Sequence, residues 1–479
     1  MGLGARTVLE RGHGRPAASH AATMTRTVEL PLWALILLLA FAAVTFASHF
    51  LLPSVRWFFR RRAERLVAHL NTRLARPIEP FKLARRTDTI TRLVFDPQVV
   101  EAVRDHARTE GVPEDVAFET ARRYAREIVP GFSAILYFSV ATRLARWLSV
   151  ALYRVRVSGQ TEALRQVDPA ATVVFVLNHR SNMDYVLVTW LAARSTALAY
   201  AVGEWARRWP LRPLIRAMGG YFVRRRDLNP LYRRVLARYV QIATRAGVTQ
   251  AVFPEGRLSR DGALHPPKLG ILNYLVADHV AGGRDIVFVP VAVNYERVLE
   301  DRMLLGAVEA GERAFRLRWW MPVRYLFRQA QLALTGRVSR LGYAAVSFGR
   351  PLSLAAFLAR KGEAGDPTQA LGEELMARIS GVLPVLPLPL VAEALTDGAR
   401  DLETIARHVD ARGAQLAARG HPVHQARSDT QAVVRAALAM LAIRGLVTLD
   451  GDRVIPVGDR NEVLAFYART LPLRRSFKT

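Results

Sequence analysis

Apolar residues run almost unbroken from Leu30 to Ser48, interrupted by Pro31 and Thr45, and Phe50-Leu51-Leu52 extends the run past His49. A helix of that length can just span a bilayer, so residues 30–52 are expected to form a membrane anchor. Residues 1–29 are rich in Gly, Ala and Arg without sustained periodicity and are expected to be a disordered tail, with Met24 an alternative start. Behind the apolar run stand Arg56, Arg60, Arg61, Arg62 and Arg65. Such basic flanking places the downstream chain on the cytoplasmic side. A cleaved signal peptide ending near Ala47-Ser48 is the competing reading.

From Asp96 to about Val155 the spacing is helical. Asp96-Pro97 and Val112-Pro113-Glu114-Asp115 mark helix starts, with proline near the first helical position. The last helix, around Ile135 to Tyr153, sets Tyr137, Leu144, Leu148 and Leu152 against Arg143, Arg146 and Arg154. It suits either a membrane surface or packing on a neighbouring domain. Strand-like and helical runs then alternate from Thr172 to Leu352, the signature of an α/β domain. Thr172–Leu177, Ala251–Phe253, Ile286–Val289 and Tyr343–Phe348 read as strands, the second and third each stopped by a proline. Phe315 to Phe327 mixes Arg316, Arg318 and Arg324 with Trp319, Trp320 and Tyr325, which suits a lipid headgroup layer or a solvated helix with a core stripe. Beyond about Ala364 the pattern is helical again, until Leu446–Leu449, Asp450-Gly451 and Arg453–Ile455 predict a hairpin. The expected order is a tail (1–29), an anchor (30–52), a helical domain (53–157), an α/β domain with a mixed sheet (158–360) and a mostly helical, winged-helix-like domain (361–479).

Composition sharpens this picture in two ways. The chain has no cysteine among its 479 residues, which excludes disulfides, thiolate metal sites and cysteine nucleophiles. Its net charge is +27, carried almost wholly by arginine. That balance suits nucleic acid, anionic lipid or phosphorylated substrates, although a GC-rich coding sequence also enriches arginine.

Four stretches carry candidate chemistry. The first, Asn178-His179-Arg180-Ser181-Asn182-Met183-Asp184-Tyr185, stands where a strand hands over to a helix. His179 and Asp184 can meet only if His179 precedes the helix and Asp184 lies in its first turn. The aspartate then holds one imidazole nitrogen and leaves the other as a base. A helix cap beside an ordinary surface histidine is the alternative. The second stretch, Gly219 to Arg226, follows a tight turn with adjacent arginines, which offer planar forks for phosphate. The third runs from Phe253-Pro254-Glu255-Gly256-Arg257-Leu258-Ser259-Arg260 to Pro266-Pro267-Lys268-Leu269-Gly270. Such a loop can bind a polyol phosphate, with Glu255 taking hydroxyls and Arg257, Ser259, Arg260 or Lys268 the phosphate. The fourth, Val289-Pro290 to Tyr295-Glu296, can wall a pocket.

In this order and spacing the four stretches resemble the blocks of the glycerolipid acyltransferases, in closer detail those of the bacterial membrane-bound glycerol-3-phosphate acyltransferases. His179-Arg180-Ser181 with Met183-Asp184-Tyr185, Gly219 to Arg225, Pro266-Pro267-Lys268 with Gly270, and Val289-Pro290 with Tyr295-Glu296 carry the likeness. Phe348-Gly349-Arg350-Pro351 and Leu464-Ala465-Phe466-Tyr467-Ala468 extend it over most of the chain beyond about Asp96. One departure stands out. The family has a glycine or threonine and then an arginine after Glu-Gly, whereas this chain has Arg257 and then Leu258, so either Arg257 or Arg260 is the cation that meets the phosphate.

The resemblance implies acyl transfer from an acyl-carrier-protein or coenzyme A thioester to the primary hydroxyl of glycerol 3-phosphate. The apolar run and the arginines behind it, not the family, give the expected location, the bacterial inner membrane with the catalytic domain in the cytoplasm. His179 and Asp184 are the expected catalytic pair. Arg180, Phe222, Arg224, Glu255, Gly256, Arg257, Ser259, Arg260, Lys268 and Pro290 are the expected binding residues. Ser181 is expected to cap the helix, and backbone N–H groups near the helix start or Gly256 to hold the oxyanion. No cofactor and no metal are expected, and the membrane phospholipid surface is an expected partner. The alternatives are another acceptor, lysophosphatidate or dihydroxyacetone phosphate, or a membrane-tethered nucleic-acid binder using the C-terminal hairpin. Spread of the basic residues along the chain, rather than on one recognition helix, speaks against nucleic acid.

Overall fold

The computed structural model describes residues 31–46 and 61–472, apart from 63, 66, 194, 204–206, 208–210, 225–227, 281, 302–303, 306–340, 363–364, 425–428 and 459–460. The expected tail, the Phe315–Phe327 stretch and Arg225 lie outside the described residues. The chain divides into two compact units, Met1–Arg65 and Leu66–Thr479.

In the first unit, α1 (Leu32–Phe46) is 15 residues of almost continuous apolar sequence with no buried residue. Among the described residues no helix is long and apolar enough to cross a membrane. The rest of the expected anchor, residues 30 and 47–52, is outside the described residues.

The second unit is built on a mixed sheet. Its strands are β1 (Arg154–Ser158), β2 (Thr172–Leu177), β3 (Ala199–Val202), β4 (Gly220–Phe222), β5 (Gln250–Val252), β6 (Ile286–Tyr295), β7 (Tyr343–Phe348) and β8 (Leu352–Ser353). They lie in the order β1-β7-β6-β2-β5-β3-β4, with β8 also on β6. β6, β2, β5, β3 and β4 run parallel, and β7 and β8 pair antiparallel to β6. The expected α/β architecture with a mixed sheet is thus the one that forms. β1 pairs with β7 from Arg154 onward, so the sheet begins four residues before the expected boundary at 158.

Strand β6 corrects a second expectation, since it passes through Pro290 instead of stopping there. The reason lies in its pairing. β8 takes Val287 and Phe288, and β7 takes Val291 to Tyr295, so Pro290 falls between the two partners. The Pro290 carbonyl accepts from Gly349 N–H (2.8 Å) across the 349–351 turn, where a missing ladder donor costs little.

Strand periodicity of two splits the core between the faces. Val173, Phe175 and Leu177 of β2 and Val289, Val291 and Val293 of β6 point to one face; Val174, Val176 and Phe288 point to the other. The second face is covered by α2 (Arg86–Val94), α3 (Pro97–Glu110), α4 (Glu114–Ile128) and later helices. The first is covered by α5 (Thr142–Leu152), α6 (Met183–Ala192) and the C-terminal α7 (Pro387–Thr396), α8 (Leu402–Ala418), α9 (Thr430–Ile443) and α10 (Asn461–Ala468). The expected divisions at 157/158 and 360/361 are therefore not breaks in packing: both flanking regions share a core with the sheet.

Asp96 caps α3 by accepting from Gln98 N–H (3.1 Å), as its position before Pro97 predicts. The segment before α5, Leu136–Ala141, is π-helical. Its inward stripe runs through Tyr137, Ala141, Ala145, Ser149 and Leu152, whereas Leu144, grouped with Tyr137 and Leu152 in the sequence, is exposed, as is Trp147. The C-terminal hairpin forms between β9 (Val447–Asp450) and β10 (Arg453–Pro456). In α9 before it, Val433, Val434, Ala437, Leu438 and Leu441 face the core, and the exposed positions carry one cation, Arg435. One arginine is little for holding a nucleic-acid backbone.

Glu296, just after β6, accepts from Tyr343 N–H (2.7 Å), and burial pushes its carboxyl up to about 7. The unfolded chain therefore releases this proton first, and the fold loses stability as pH rises from the ordinary glutamate range through about 7. Glu296→Gln should gain in Tm relative to the parent between pH 5 and pH 8, whatever the fixed cost of the amide. Parallel melting curves over that range check this; a constant difference would contradict it.

Candidate active site

The site grows from the end of β2. Asn178 continues the strand with its side chain: its amide donates to Val293 O (2.9 Å) and its carbonyl accepts from Val293 N–H (2.7 Å). The chain is thereby tied to β6 one residue before His179. His179 is held from the opposite side by the 253–265 loop, its N–H donating to Glu255 Oε1 (2.9 Å) and its carbonyl accepting from Ser259 N–H (2.9 Å). Its ring lies against Phe253 (centroids 4.3 Å apart) and edge-on to Tyr185 (5.3 Å).

Asp184 sits in the first turn of α6, as its spacing from His179 requires, and is fully buried. Its Oδ2 accepts from His179 Nδ1 (2.9 Å), Arg180 N–H (2.8 Å) and Ser181 N–H (3.0 Å). Its Oδ1 accepts from the Tyr295 hydroxyl (2.7 Å). Burial and the Asp184 charge hold the Tyr295 phenol well above its ordinary pKa, so it stays a donor. Four donors fix the carboxylate, and with it the Nδ1-H tautomer of His179. Nε2 accepts no hydrogen bond among the described residues and is the free basic nitrogen.

The expected binding residues divide into three groups. Arg257 and Lys268 are exposed and Arg260 is half-buried, all on the loop that pins His179. Gly256 (φ 68°) lets the loop turn against the Lys268 stem. In a second group, side chains expected to meet substrate are occupied within the loop. Glu255 takes His179 N–H with one oxygen and His265 N–H (3.1 Å) with the other. Ser259 Oγ donates to Ala263 O (2.8 Å), and Arg180, buried, donates through Nη1 to Gly262 O and Ala263 O. Burial depresses the Arg180 pKa, opposed by the charges of Glu255, Asp184 and Asp261. Its Nε and Nη2 are buried and have no hydrogen-bond partner among the described residues.

The third group is not at the site in this arrangement. Phe222 is a core residue at the end of β4, and Pro290 is inside the sheet, paired with Val176. Arg224 follows β4, three strands from β2, or about 14 Å at ordinary strand spacing. Its fork closes on Glu127, from Nε to Oε1 (2.9 Å) and from Nη2 to Oε2 (2.7 Å), between the rings of Tyr124 and Tyr232. Burial works against the Glu127 charge, and Arg224 and Arg207 outweigh it, leaving its pKa below the ordinary value.

The expected oxyanion donors are also committed. Gly256 N–H goes to Phe253 O (2.9 Å), Asn182 N–H to Glu300 Oε1 (3.1 Å) and Met183 N–H to Ser181 Oγ (3.1 Å). The N-cap of α6 is Asn182, not the expected Ser181, which takes the Met183 N–H from one residue earlier; the Ser181 hydroxyl itself donates to Glu300 Oε2 (2.7 Å). Sequence reasoning passed over Asn178, Glu127 and Glu300, whose partners are distant in the chain and leave no local spacing to read.

Residues 154–294 match the model of the family described as Acyltransferase, and residues 331–469 match that of the glycerol-3-phosphate acyltransferase C-terminal region. The chain thus contains an Acyltransferase-family domain, followed by a region similar to the C-terminal region of the glycerol-3-phosphate acyltransferases. It is 28% identical over 413 residues to the glycerol-3-phosphate acyltransferase of Pseudomonas entomophila strain L48, covering 81% of this chain and 48% of that protein. To the one of Pseudomonas fluorescens strain SBW25 it is 30% identical over 352 residues, covering 68% and 40%. The chain thus spans about half the length of the curated relatives it matches. Among solved structures it is similar to the 1-acyl-sn-glycerophosphate (LPA) acyltransferase of Thermotoga maritima, at 21% identity and a TM-score of 0.30, over 50% of this chain and 75% of that one.

Proposed function

We propose that this chain is a glycerol-3-phosphate acyltransferase, transferring an acyl group from a thioester to the primary hydroxyl of glycerol 3-phosphate. The observation that carries the reading is the His179–Asp184 pair, 2.9 Å apart and locked by three further donors to the carboxylate. His179 Nε2 takes the hydroxyl proton as the oxygen attacks the thioester carbonyl. The tetrahedral adduct collapses, the C–S bond breaks, and the imidazolium returns its proton to the leaving thiolate. Asp184 steadies the imidazolium between the two steps. With no cysteine in the chain, direct transfer needs no thiol carrier. Arg257, Arg260 and Lys268 supply cations for the acceptor's phosphate on the loop that holds His179.

The donor is an acyl-carrier-protein or coenzyme A thioester, and the enzyme works at the cytoplasmic face of the bacterial inner membrane. The exposed side of the 135–152 helical segment supports the membrane surface as a partner. Ile135, Val140, Leu144, Trp147 and Val150 are exposed there together with Arg143 and Arg146, a mixture suited to an anionic headgroup layer. The apolar run of α1 supports an anchor at residues 30–52.

Purified membranes carrying the chain, given one thioester and glycerol 3-phosphate, lysophosphatidate or dihydroxyacetone phosphate in turn, test the acceptor. Acylation of glycerol 3-phosphate at a kcat/KM at least tenfold above the other two is expected. Preference for either of the others would move the chain to that acceptor.

A further inference from the structure

Residues 298–301, just beyond β6, join the His179 turn to the C-terminal helices. Glu300 is buried and faces the start of α6, accepting from Ser181 Oγ (2.7 Å) and Asn182 N–H (3.1 Å). Its chain neighbour Asp301, also buried, faces the other way and accepts from Arg444 Nη2 and the Tyr467 hydroxyl. Arg444 ends α9 and Tyr467 lies in α10. The Tyr467 oxygen also accepts from Val298 N–H (3.2 Å) and Arg444 Nη1 (3.2 Å), so the same hydroxyl grips both ends of the segment.

Helix α10 reaches the site by a second route. Gly262 has φ of 87°, and a methyl on it would overlap the Phe466 carbonyl. This close approach seats the loop whose Gly262 carbonyl accepts from Arg180. Adjacent residues of one helix, Phe466 and Tyr467, therefore contact the two segments that hold the His179–Asp184 turn, the loop at Gly262 and residues 298–301. A helix serving only to bury apolar surface needs neither contact.

We propose that Glu300 is a positioning residue for the transfer reaction, fixed in place by Asp301, Arg444 and Tyr467, so that the C-terminal region braces the turn carrying His179 and Asp184. The proposal rests on the function above. A carboxylate that takes both Ser181 Oγ and Asn182 N–H sets where α6 begins, and thereby where Asp184 meets His179. Displacement of a reacting group by about 1 Å typically costs about 100-fold in rate without a matching loss of binding.

The test uses the full chain in lipid vesicles, with two readouts on each variant: steady-state kinetics, and amide hydrogen exchange of peptides covering 178–184 and the β2, β5 and β6 strands. In Glu300→Ala, kcat should fall about 10–100-fold with both KM values within about twofold. Exchange at 178–184 should quicken at least about tenfold while the strands keep their protection. Glu300→Gln keeps an acceptor for Asn182 N–H and should return kcat to within about fivefold of the parent. Tyr467→Phe, remote from the turn, should shift the same peptides and lower kcat with KM unchanged. If the parent chain acylates nothing, the function fails, and the exchange pattern alone still decides the brace. Unchanged exchange at 178–184 in both Glu300→Ala and Tyr467→Phe, or an equal loss across all strands, overturns the proposal.

Discussion

His179→Ala is expected to lower the turnover of acyl transfer by at least about 10²–10⁴-fold, the ordinary value of a general base, while leaving the protein folded. Both parts follow from how the residue is held. Its backbone bonds to Glu255 and Ser259 do not involve the ring and survive the substitution. Asp184 loses the imidazole but keeps Arg180 N–H, Ser181 N–H and the Tyr295 hydroxyl, so no buried carboxylate is left without donors. What is lost is packing between Phe253 and Tyr185, which costs stability without undoing the sheet. Circular dichroism and melting beside kcat separate the two effects. A variant that melts far below the parent, or keeps substantial activity, would count against the assignment.

The second large effect is at Asp184, where the substitution must be chosen with care. Alanine would leave two backbone N–H groups, the His179 ring and the Tyr295 hydroxyl without acceptors in the interior, at about 1–3 kcal/mol each. That variant should fail to fold. Asparagine is different, because three donors converge on Oδ2 and one on Oδ1. The amide oxygen belongs at the Oδ2 position, and the amide nitrogen then faces the Tyr295 oxygen, which can accept. The fold and the His179 tautomer survive, but the charge that stabilises the imidazolium is gone. Turnover in Asp184→Asn should fall about 10²–10⁴-fold. The losses should not add, since an orienter has nothing to act on once the base is removed. His179→Ala with Asp184→Asn should lie within about threefold of His179→Ala alone. A much slower double variant would mean that the two residues act independently.

The parts of this site that were readable in the sequence are those with local spacing. A strand, a short turn and a helix start within thirteen residues force His179 and Asp184 together, and Thr172–Leu177 forms β2 as its unbroken apolar run predicts. Pro290 misled because a proline usually ends a central strand; that it sits opposite the seam between β7 and β8 is a fact of pairing order, not of local sequence. Arg224 looked free for the same reason. Glu127, which closes its fork, is 97 positions away and reads as an ordinary helix carboxylate. The seating of the C-terminal helices on the sheet, and the grip of Tyr467 on Asp301, are likewise contacts of very long range. Residues joined by local geometry are legible one stretch at a time, whereas those joined only by tertiary packing need the fold.

The most direct measurement is the appearance of 1-acylglycerol 3-phosphate from labelled glycerol 3-phosphate and an acyl thioester, with parent chain and His179→Ala compared in identical vesicles. Stoichiometric release of thiol and labelled product is expected from the parent, with no thiol released before the acceptor is added and no more than about a hundredth of that rate from the variant. Thiol release without acceptor, leaving an acylated protein, or equal rates from the two chains, would contradict direct transfer with His179 as the base.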